Sequence, residues 1–287
     1  MFFKNITLNK ISMKNNKSNL EIFCVTNKRL NYLENFSYNL CWVGTGKAPE
    51  GYLTCNSENN IFFKEKYYSE LTFHYWYWKN LLSLENKNWI GFCQKRRFWS
   101  QDNSNNFISL SNFKNRVLSE PHAEWSNYDA IICNPISVNK VKKFKILKRG
   151  FKNFLKNPRI IFNKNLRTIN LHFDMHHGYG NLQKAIDVME LKDREEFRKY
   201  VQSKTIFNPH IMFISKSHII NDWFHDLFKW LFSCEKIFGF EDLRGYDKTR
   251  LYAFLAERYL SFWFKKNTNY LNWEWKFFDF EKIKINE

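Results

Sequence analysis

Residues 67–80 read YYSELTFHYWYWKN and, after a short connector, residues 88–99 read NWIGFCQKRRFW. The first run is rich in aromatics and predicts a helix over Tyr67–Leu82. Glu70, His74 and Trp78 recur at four-residue spacing, so one face carries an acid, an imidazole and an indole. Leu71, Tyr75 and Trp78 form a more apolar stripe, which also fits an ordinary core helix. The second run predicts a strand, Trp89–Cys93, buried on both faces and ending in Gln94-Lys95-Arg96-Arg97. In an open α/β sheet, ligands bind outside the carboxyl ends of the strands. An aromatic helix facing a cationic strand end is therefore read as a pocket for a phosphate-bearing ligand. The same four residues also fit a solvated basic turn.

The flanking segments extend this α/β pattern. Glu21–Asn27 and Tyr128–Cys133 are short apolar runs of strand type, and Leu40–Val43 is a third. The loop after it holds Gly44-Thr45-Gly46-Lys47, which lacks the spacing of a Walker or dinucleotide loop and reads more readily as a surface turn than as a phosphate cradle. Thr205–Ile214 reads as a turn feeding a buried strand. In Ile219–Phe232 the residues Trp223, Phe224, Leu227, Phe228 and Leu231 share a helical face. Tyr252–Phe264 predicts a helix with Glu257 and Arg258 among apolar residues, where an ionised side chain needs a partner or a task. Asp174-Met175-His176-His177 is expected just ahead of a helix over Asn181–Met189, suited to acid–base work or to capping.

Composition narrows the classes. The chain has 287 residues, of which 30 are Phe, 14 Tyr and 11 Trp, so a large core is expected. Lys and Arg total 45 against 28 Asp and Glu, a net charge of +17, which favours anionic partners. A nucleic-acid-binding protein is the main alternative to an enzyme on this ground. Cys24, Cys41, Cys55, Cys93, Cys133 and Cys234 are scattered and form no CxxC pair, which argues against zinc ribbons. No signal-like start and no apolar run of about 20 residues is seen, so a cytoplasmic setting is expected. Between Ala130 and Phe173 there is no acidic residue, and lysines at 140, 142, 143, 145, 148, 152 and 156 alternate with apolar residues. That segment fits an anionic bilayer surface or a solvated insertion. Residues 1–20 are read as a flexible lead-in, 21–265 as one domain and 266–287 as a tail.

Taken in order, these blocks resemble a bacterial glycosyltransferase family of capsule and O-antigen biosynthesis, long catalogued as a domain of unknown function. Its first strand ends in Thr-His-Lys, here Thr26-Asn27-Lys28. An Asn-Ile segment follows, here Asn60-Ile61. Its Glu-Leu-Thr…Tyr-Trp…Trp-Lys-Asn helix corresponds to Glu70-Leu71-Thr72, Tyr75-Trp76 and Trp78-Lys79-Asn80. Its Gly…His-Tyr-Arg-Arg-Tyr strand end corresponds to Gly91–Phe98. Its Asn-Met-Phe-Ile block becomes Ile211-Met212-Phe213-Ile214. The Trp-Leu-Phe and Arg…Glu-Arg helices correspond to Trp230-Leu231-Phe232 and to Arg250 with Glu257-Arg258. The pattern's two His positions are Asn27 and Gln94 here, a departure that leaves a catalytically impaired glycan-assembly scaffold as a further alternative.

The resemblance implies a Rossmann-like, GT-A-type α/β domain with a central, mostly parallel sheet flanked by helices. It implies transfer of a hexose from a nucleotide sugar to a lipid-linked or growing glycan. Many GT-A enzymes hold a divalent metal on Asp-x-Asp; that motif is missing here, and cations stand at the strand end instead. The expectation is therefore metal-independent transfer without a cofactor. Thr26, Lys28, Lys95, Arg96 and Arg97 are assigned to the donor. Glu70, Asp174 and Glu257 are candidate catalytic acids or bases. His74, Trp78, His176, His210 and Arg258 are assigned to the acceptor pocket.

Overall fold

A computed structural model describes residues 19–102, 109 and 111–278. The strands are β1 (Leu20–Thr26), β2 (Asn39–Trp42), β3 (Leu53–Thr54), β4 (Trp89–Gln94), β5 (Arg97–Trp99), β6 (Ala130–Cys133), β7 (Ile136–Ser137), β8 (Ile206–Phe207), β9 (Phe213–Ser215), β10 (Tyr270–Trp273) and β11 (Trp275–Phe277). Among the described residues the main sheet runs β10-β6-β9-β4-β1-β2-β3, with β5 and β11 attached beside β4. The pairs β10–β6, β4–β1, β1–β2 and β2–β3 are parallel, and β9 lies antiparallel between β6 and β4. The fold is thus a mixed α/β architecture with a central, mostly parallel sheet.

Burial of the central strands on both faces explains their unbroken apolar sequences. One face packs Phe23, Phe92 and Phe213 against helices; the other packs Ile22, Cys93, Ile131 and Ile214 with Trp99, Trp125 and Trp273. Gly91 sits where β4 is squeezed between its neighbours. A Cβ there would fall 2.9 Å from Ile214 Cγ1 and 3.3 Å from Ile22 Cγ1, so a larger residue would force the strands apart. All six cysteines are buried and free.

The helices are α1 (Glu65–Tyr68), α2 (Leu71–Asn80), α3 (Phe113–Arg116), α4 (Lys143–Arg149), α5 (Phe151–Lys156), α6 (Ile169–His177), α7 (Asn181–Asp187), α8 (Leu191–Ser203), α9 (Ser217–Phe238), α10 (Tyr246–Thr249) and α11 (Leu251–Asn267). On α9 the stripe Trp223, Phe224, Leu227, Phe228 and Leu231 is buried as its spacing requires. Each such side chain stabilises the fold by roughly 1.5–3 kcal/mol. Phe224 also meets the rings of Phe92 and Phe213 at 5.8 Å, so Phe224→Ala would cost about 3–5 kcal/mol.

Three expectations are corrected. The aromatic helix is broken: α1 ends before Ser69, which has φ 52°, and α2 restarts after Glu70. The run Asp174–His177 does precede the helix α7, which starts at Asn181, but it is itself helical, forming the last turn of α6, whose N-terminus is capped by the Thr168 hydroxyl accepting from Leu171 N–H at 3.4 Å. The expected tail completes the sheet. Tyr270–Trp273 pairs with Ala130–Cys133, and Trp275–Phe277 pairs with Arg97–Trp99. Residues 1–18 of the expected lead-in and 279–287 of the expected tail lie outside the described residues, and Leu20 already opens β1. No helix among the described residues is long and apolar enough to cross a membrane.

Candidate functional site

The carboxyl ends of β1 and β4 open into a cleft of about 220 Å³. Thr26, Glu70, Gln94, Lys95, Arg96, Arg97 and Arg250 line it, together with Glu65, Ser69 and Tyr246. A second lobe of about 190 Å³ shares Glu70, Gln94, Arg97, Tyr246 and Arg250, and extends to His210, Phe254 and Glu257. Four cations and three carboxylates therefore face a single concavity at the sheet edge where ligands bind in open α/β sheets.

The cationic turn is fixed by backbone contacts. Gln94 and Arg97 pair across the β4–β5 turn. Lys95 N–H donates to Val25 O at 3.2 Å, Lys95 O accepts from the Tyr32 hydroxyl at 3.0 Å, and Arg96 O accepts from Phe278 N–H at 2.9 Å. The guanidinium groups of Arg96 and Arg97 lie 5.7 and 5.8 Å from the Phe277 ring. Lys95 Nζ donates to Asn27 Oδ1 at 2.6 Å, tying the ends of the two strands together. Burial lowers the Arg97 guanidinium from its ordinary value while Glu70 and Glu257 oppose that. It remains a cation at neutral pH.

Glu70 owes its position to the helix break. Ser69 holds a left-handed backbone, a conformation that costs a non-glycine residue of order 1–3 kcal/mol. The turn that results sets Glu70 at the start of α2. Its carboxylate accepts from Gln94 Nε2, and Gln94 Oε1 accepts from Arg97 Nη1 at 3.0 Å. Gln94 thus couples the acid to the cation.

A second strained residue bounds the other lobe. His210 has φ 66°, and its backbone N–H donates to Glu257 Oε1 at 2.6 Å. Glu257 Oε2 accepts from Arg258 Nη1, and His210 Nδ1 lies 3.8 Å from Glu257 Oε1. Burial alone would raise the Glu257 carboxyl, but Arg258 and His210 together hold it below the ordinary range. Burial also pushes the His210 imidazole down to about 4, with Glu257 opposing and Arg97 adding to it. Burial raises the Glu65 carboxyl, with Arg250 opposing and Glu70 reinforcing.

Of the residues expected at the site, Glu70, Glu257, Thr26, Lys95, Arg96, Arg97 and His210 line the two lobes. The others do not. Lys28 is exposed, and its backbone N–H closes a turn on the Thr26 hydroxyl at 3.0 Å. His74 is buried between Phe92 and Phe224, where desolvation pushes it down to about 3; it is a core residue and faces no cleft. Trp78 stacks on Phe228 and donates to Asn221 Oδ1, so it joins α2 to α9. Asp174 accepts from Asn153 Nδ2 at 2.7 Å and Gly180 N–H at 2.9 Å, a structural role linking α5, α6 and the turn before α7. His176 contacts Arg149 at 2.9 Å. Arg258 lies behind Glu257 with its guanidinium 3.9 Å from the Phe207 ring. The Gly44–Lys47 loop folds onto Trp42, whose indole donates to Gly46 O at 3.0 Å; it is a surface turn.

Sequence reasoning missed Glu65, Tyr246 and the site role of Arg250. Arg250, Ala253, Phe254 and Glu257 are spaced i, i+3, i+4 and i+7, which puts them on one face of α11 and the residue that precedes it. That spacing was the available signal. Among the described residues no group of three His, Cys, Asp or Glu side chains could hold a metal ion.

The architecture is therefore a Rossmann-like α/β domain that presents a mixed cationic and acidic cleft at the ends of parallel strands. The chain belongs to the family described as the domain of unknown function DUF4422, which matches residues 21–268. Its fold is similar to that of WbbM, a bifunctional glycosyltransferase solved in the apo state, with a TM-score of 0.69 and 18% sequence identity over 91% of this chain. The chain spans about half, 45%, of the length of that protein. No curated protein matches the sequence.

Proposed function

We propose that this protein is a glycosyltransferase that moves a hexose from a nucleotide sugar to a surface-polysaccharide acceptor of the capsule or O-antigen kind, working in the cytoplasm. The observation that carries the reading is the meeting of Lys95, Arg96, Arg97 and Arg250 with Glu70 in one cleft. The likeness in fold to part of a known glycosyltransferase agrees with it.

In the proposed mechanism the donor diphosphate lies against the cationic wall, with Thr26 beside the nucleotide. Guanidinium groups bind phosphate oxygens through paired N–H donors and stabilise the charge that grows on the leaving group. In the inverting form of the reaction, Glu70 takes the proton of the acceptor hydroxyl. The acceptor oxygen then forms its bond to the anomeric carbon. The bond from that carbon to the diphosphate breaks, and its electron pair leaves with the nucleoside diphosphate. Glu257 is the weaker candidate for the base because Arg258 and the His210 N–H already hold its carboxylate. Gln94 stands where the resembling pattern has His, yet it contacts both Glu70 and Arg97, which favours an active enzyme over an impaired scaffold.

The cations occupy the place where a divalent metal would neutralise the diphosphate, so transfer is proposed to be metal-independent. Donor hydrolysis and transfer in EDTA test this, and retained turnover is expected. Loss of turnover that Mn²⁺ restores would overturn the metal-independent part. A thermal-shift panel of sugar nucleotides tests the wider reading. Stabilisation by oligonucleotides with none by sugar nucleotides would overturn it.

A further inference from the structure

The segment 140–167 carries large apolar side chains on the outside of a well-packed scaffold. Beneath it, Ile146, Ile160, Leu171 and Met175 form a small core of their own. Arg167, only 4% exposed, donates to the carbonyls of Ile160, Ile161, Asn139 and Val141 at 2.9, 2.6, 3.2 and 2.9 Å. The segment is therefore a fixed cap on α6. Yet Phe144 is 72% exposed, Phe151 53%, Leu155 63% and Phe162 80%, with Leu147 at 40%. A solvated Lys-rich insertion would turn such residues inward, as Ile146 does.

The positions explain how both faces coexist. Phe144, Leu147, Phe151 and Leu155 follow an i, i+3, i+7, i+11 spacing along α4 and α5, beside the inward stripe of Ile146, Gly150 and Phe154. Lys145, Lys148, Lys152 and Lys156 fall on the far side of the apolar stripe and are all exposed. No acidic residue occurs between Ala130 and Phe173, although Lys156 lies near enough to Asp174 to feel its charge. Exposed apolar residues flanked by a row of exposed cations are the pattern of a helix lying in the boundary between lipid headgroups and acyl chains.

We infer that α4 and α5 form a docking surface for an anionic lipid bilayer, with Phe144, Phe151, Leu155 and Phe162 entering the interface and the lysines meeting the headgroups. A nucleic acid would use the cations and could stack on the phenylalanines, but Leu147 and Leu155 in the same stripe offer bases no stacking surface and do gain from entering a bilayer, so the bilayer is the better fit. The surface is coupled to the cleft. Arg149 at the end of α4 lies 3.4 Å from Asp247 on α10, and the adjacent Tyr246 lines the cleft. Docking would hold that rim of the cleft at a fixed distance from the bilayer, where a lipid-borne acceptor would be presented. The lipid contact itself is independent of the transfer reading, because it is measured without donor.

The test is flotation of the full chain with phosphatidylcholine vesicles containing about 30% phosphatidylglycerol, compared with pure phosphatidylcholine. Flotation with the anionic vesicles and little with the neutral ones is expected. K145E/K152E should weaken partition by about tenfold or more, since each cation near the surface is worth about 1 kcal/mol. F144S/F151S should abolish the fraction that survives high salt. All four substituted side chains are exposed, so unchanged melting temperatures control for folding. Any of these results would overturn the inference: equal binding to neutral vesicles, K145E/K152E floating like the parent, or retention of a single-stranded oligonucleotide without any flotation. Assembly into a dimer that F144S/F151S dissolves, again without flotation, would overturn it in favour of a second copy of this chain.

Discussion

Arg97→Met is the most informative single change, because Arg97 lines both lobes and is hydrogen-bonded on the protein side by one contact, Nη1 to Gln94 Oε1 at 3.0 Å. In the free protein the loss is modest. One charge-assisted bond disappears, and the half-buried guanidinium no longer has to be desolvated, so the two effects offset to within about 1 kcal/mol. In the complex the loss is larger. A guanidinium on a diphosphate makes one or two charge-assisted bonds, worth about 1.5–3 kcal/mol together when one partner is removed. That corresponds to a rise in Kd for a nucleoside diphosphate of roughly 10- to 150-fold. The assay is calorimetric titration of the parent and R97M with a nucleoside diphosphate and with the matching nucleoside. The nucleoside should bind both proteins alike, and Arg97→Lys should fall between them because a lysine is a point charge without the planar fork. If R97M binds the diphosphate within about twofold of the parent, with an unchanged melt, the cationic wall is not the phosphate site.

Glu70→Gln keeps a group that can pair with Gln94 but removes the base; it should lower kcat by about 10²- to 10⁴-fold while donor affinity holds, as read by steady-state transfer and by titration. Glu257→Gln leaves Arg258, 2% exposed, without a charged partner and should destabilise the fold by about 3 kcal/mol or more, seen in a denaturant melt. The acid limb of stability follows from the same carboxylate. Its folded value lies below its unfolded one, so the stability it contributes is present above about pH 4.3 and is lost as pH falls through the folded value. Melts of E257Q should therefore be flatter than those of the parent below about pH 4.3, and identical acid limbs would refute this assignment. Gln94→Ala removes both the donor to Glu70 and the acceptor of Arg97 Nη1, so it should lower kcat and also weaken diphosphate binding, the latter by less than Arg97→Met does because the guanidinium stays, as read by steady-state transfer and titration.

The central strands were legible because they are buried on both faces, so their sequences are continuous apolar runs; β1, β4 and β6 fall within a residue or two of where those runs lie. The α9 stripe was legible for the same kind of reason at helical spacing. The cationic strand end was legible because charge next to a buried strand has few explanations. The break at Ser69 was not, because serine carries no preference for a left-handed backbone and only tertiary packing imposes one. The expected face of Glu70, His74 and Trp78 keeps its helical spacing but divides between cleft and core. Glu70 stands at the helix start facing the cleft, while His74 lies within α2 facing the core. The last strands were missed because β10 and β11 are short, carry Asn and Lys, and gain their order from pairing with β6 and β5 rather than from their own pattern.

The two lobes hold carboxylates that differ in how much of their hydrogen-bonding capacity is already taken. Glu257 is held by a backbone N–H and by a buried guanidinium, so its negative charge is stabilised and its basicity reduced. Glu70 meets a neutral amide from Gln94 and keeps acceptor capacity toward the cleft. An acid locked in this way is suited to fixing a rim, and a carboxylate with capacity to spare is suited to receiving a proton. Both are held in place by residues in disfavoured backbone conformations, Ser69 beside Glu70 and His210 beside Glu257. Strain of that size persists only where the surrounding packing outweighs it. Its occurrence on both sides of one cleft, with Arg97 between them, agrees with the catalytic role proposed for this cavity.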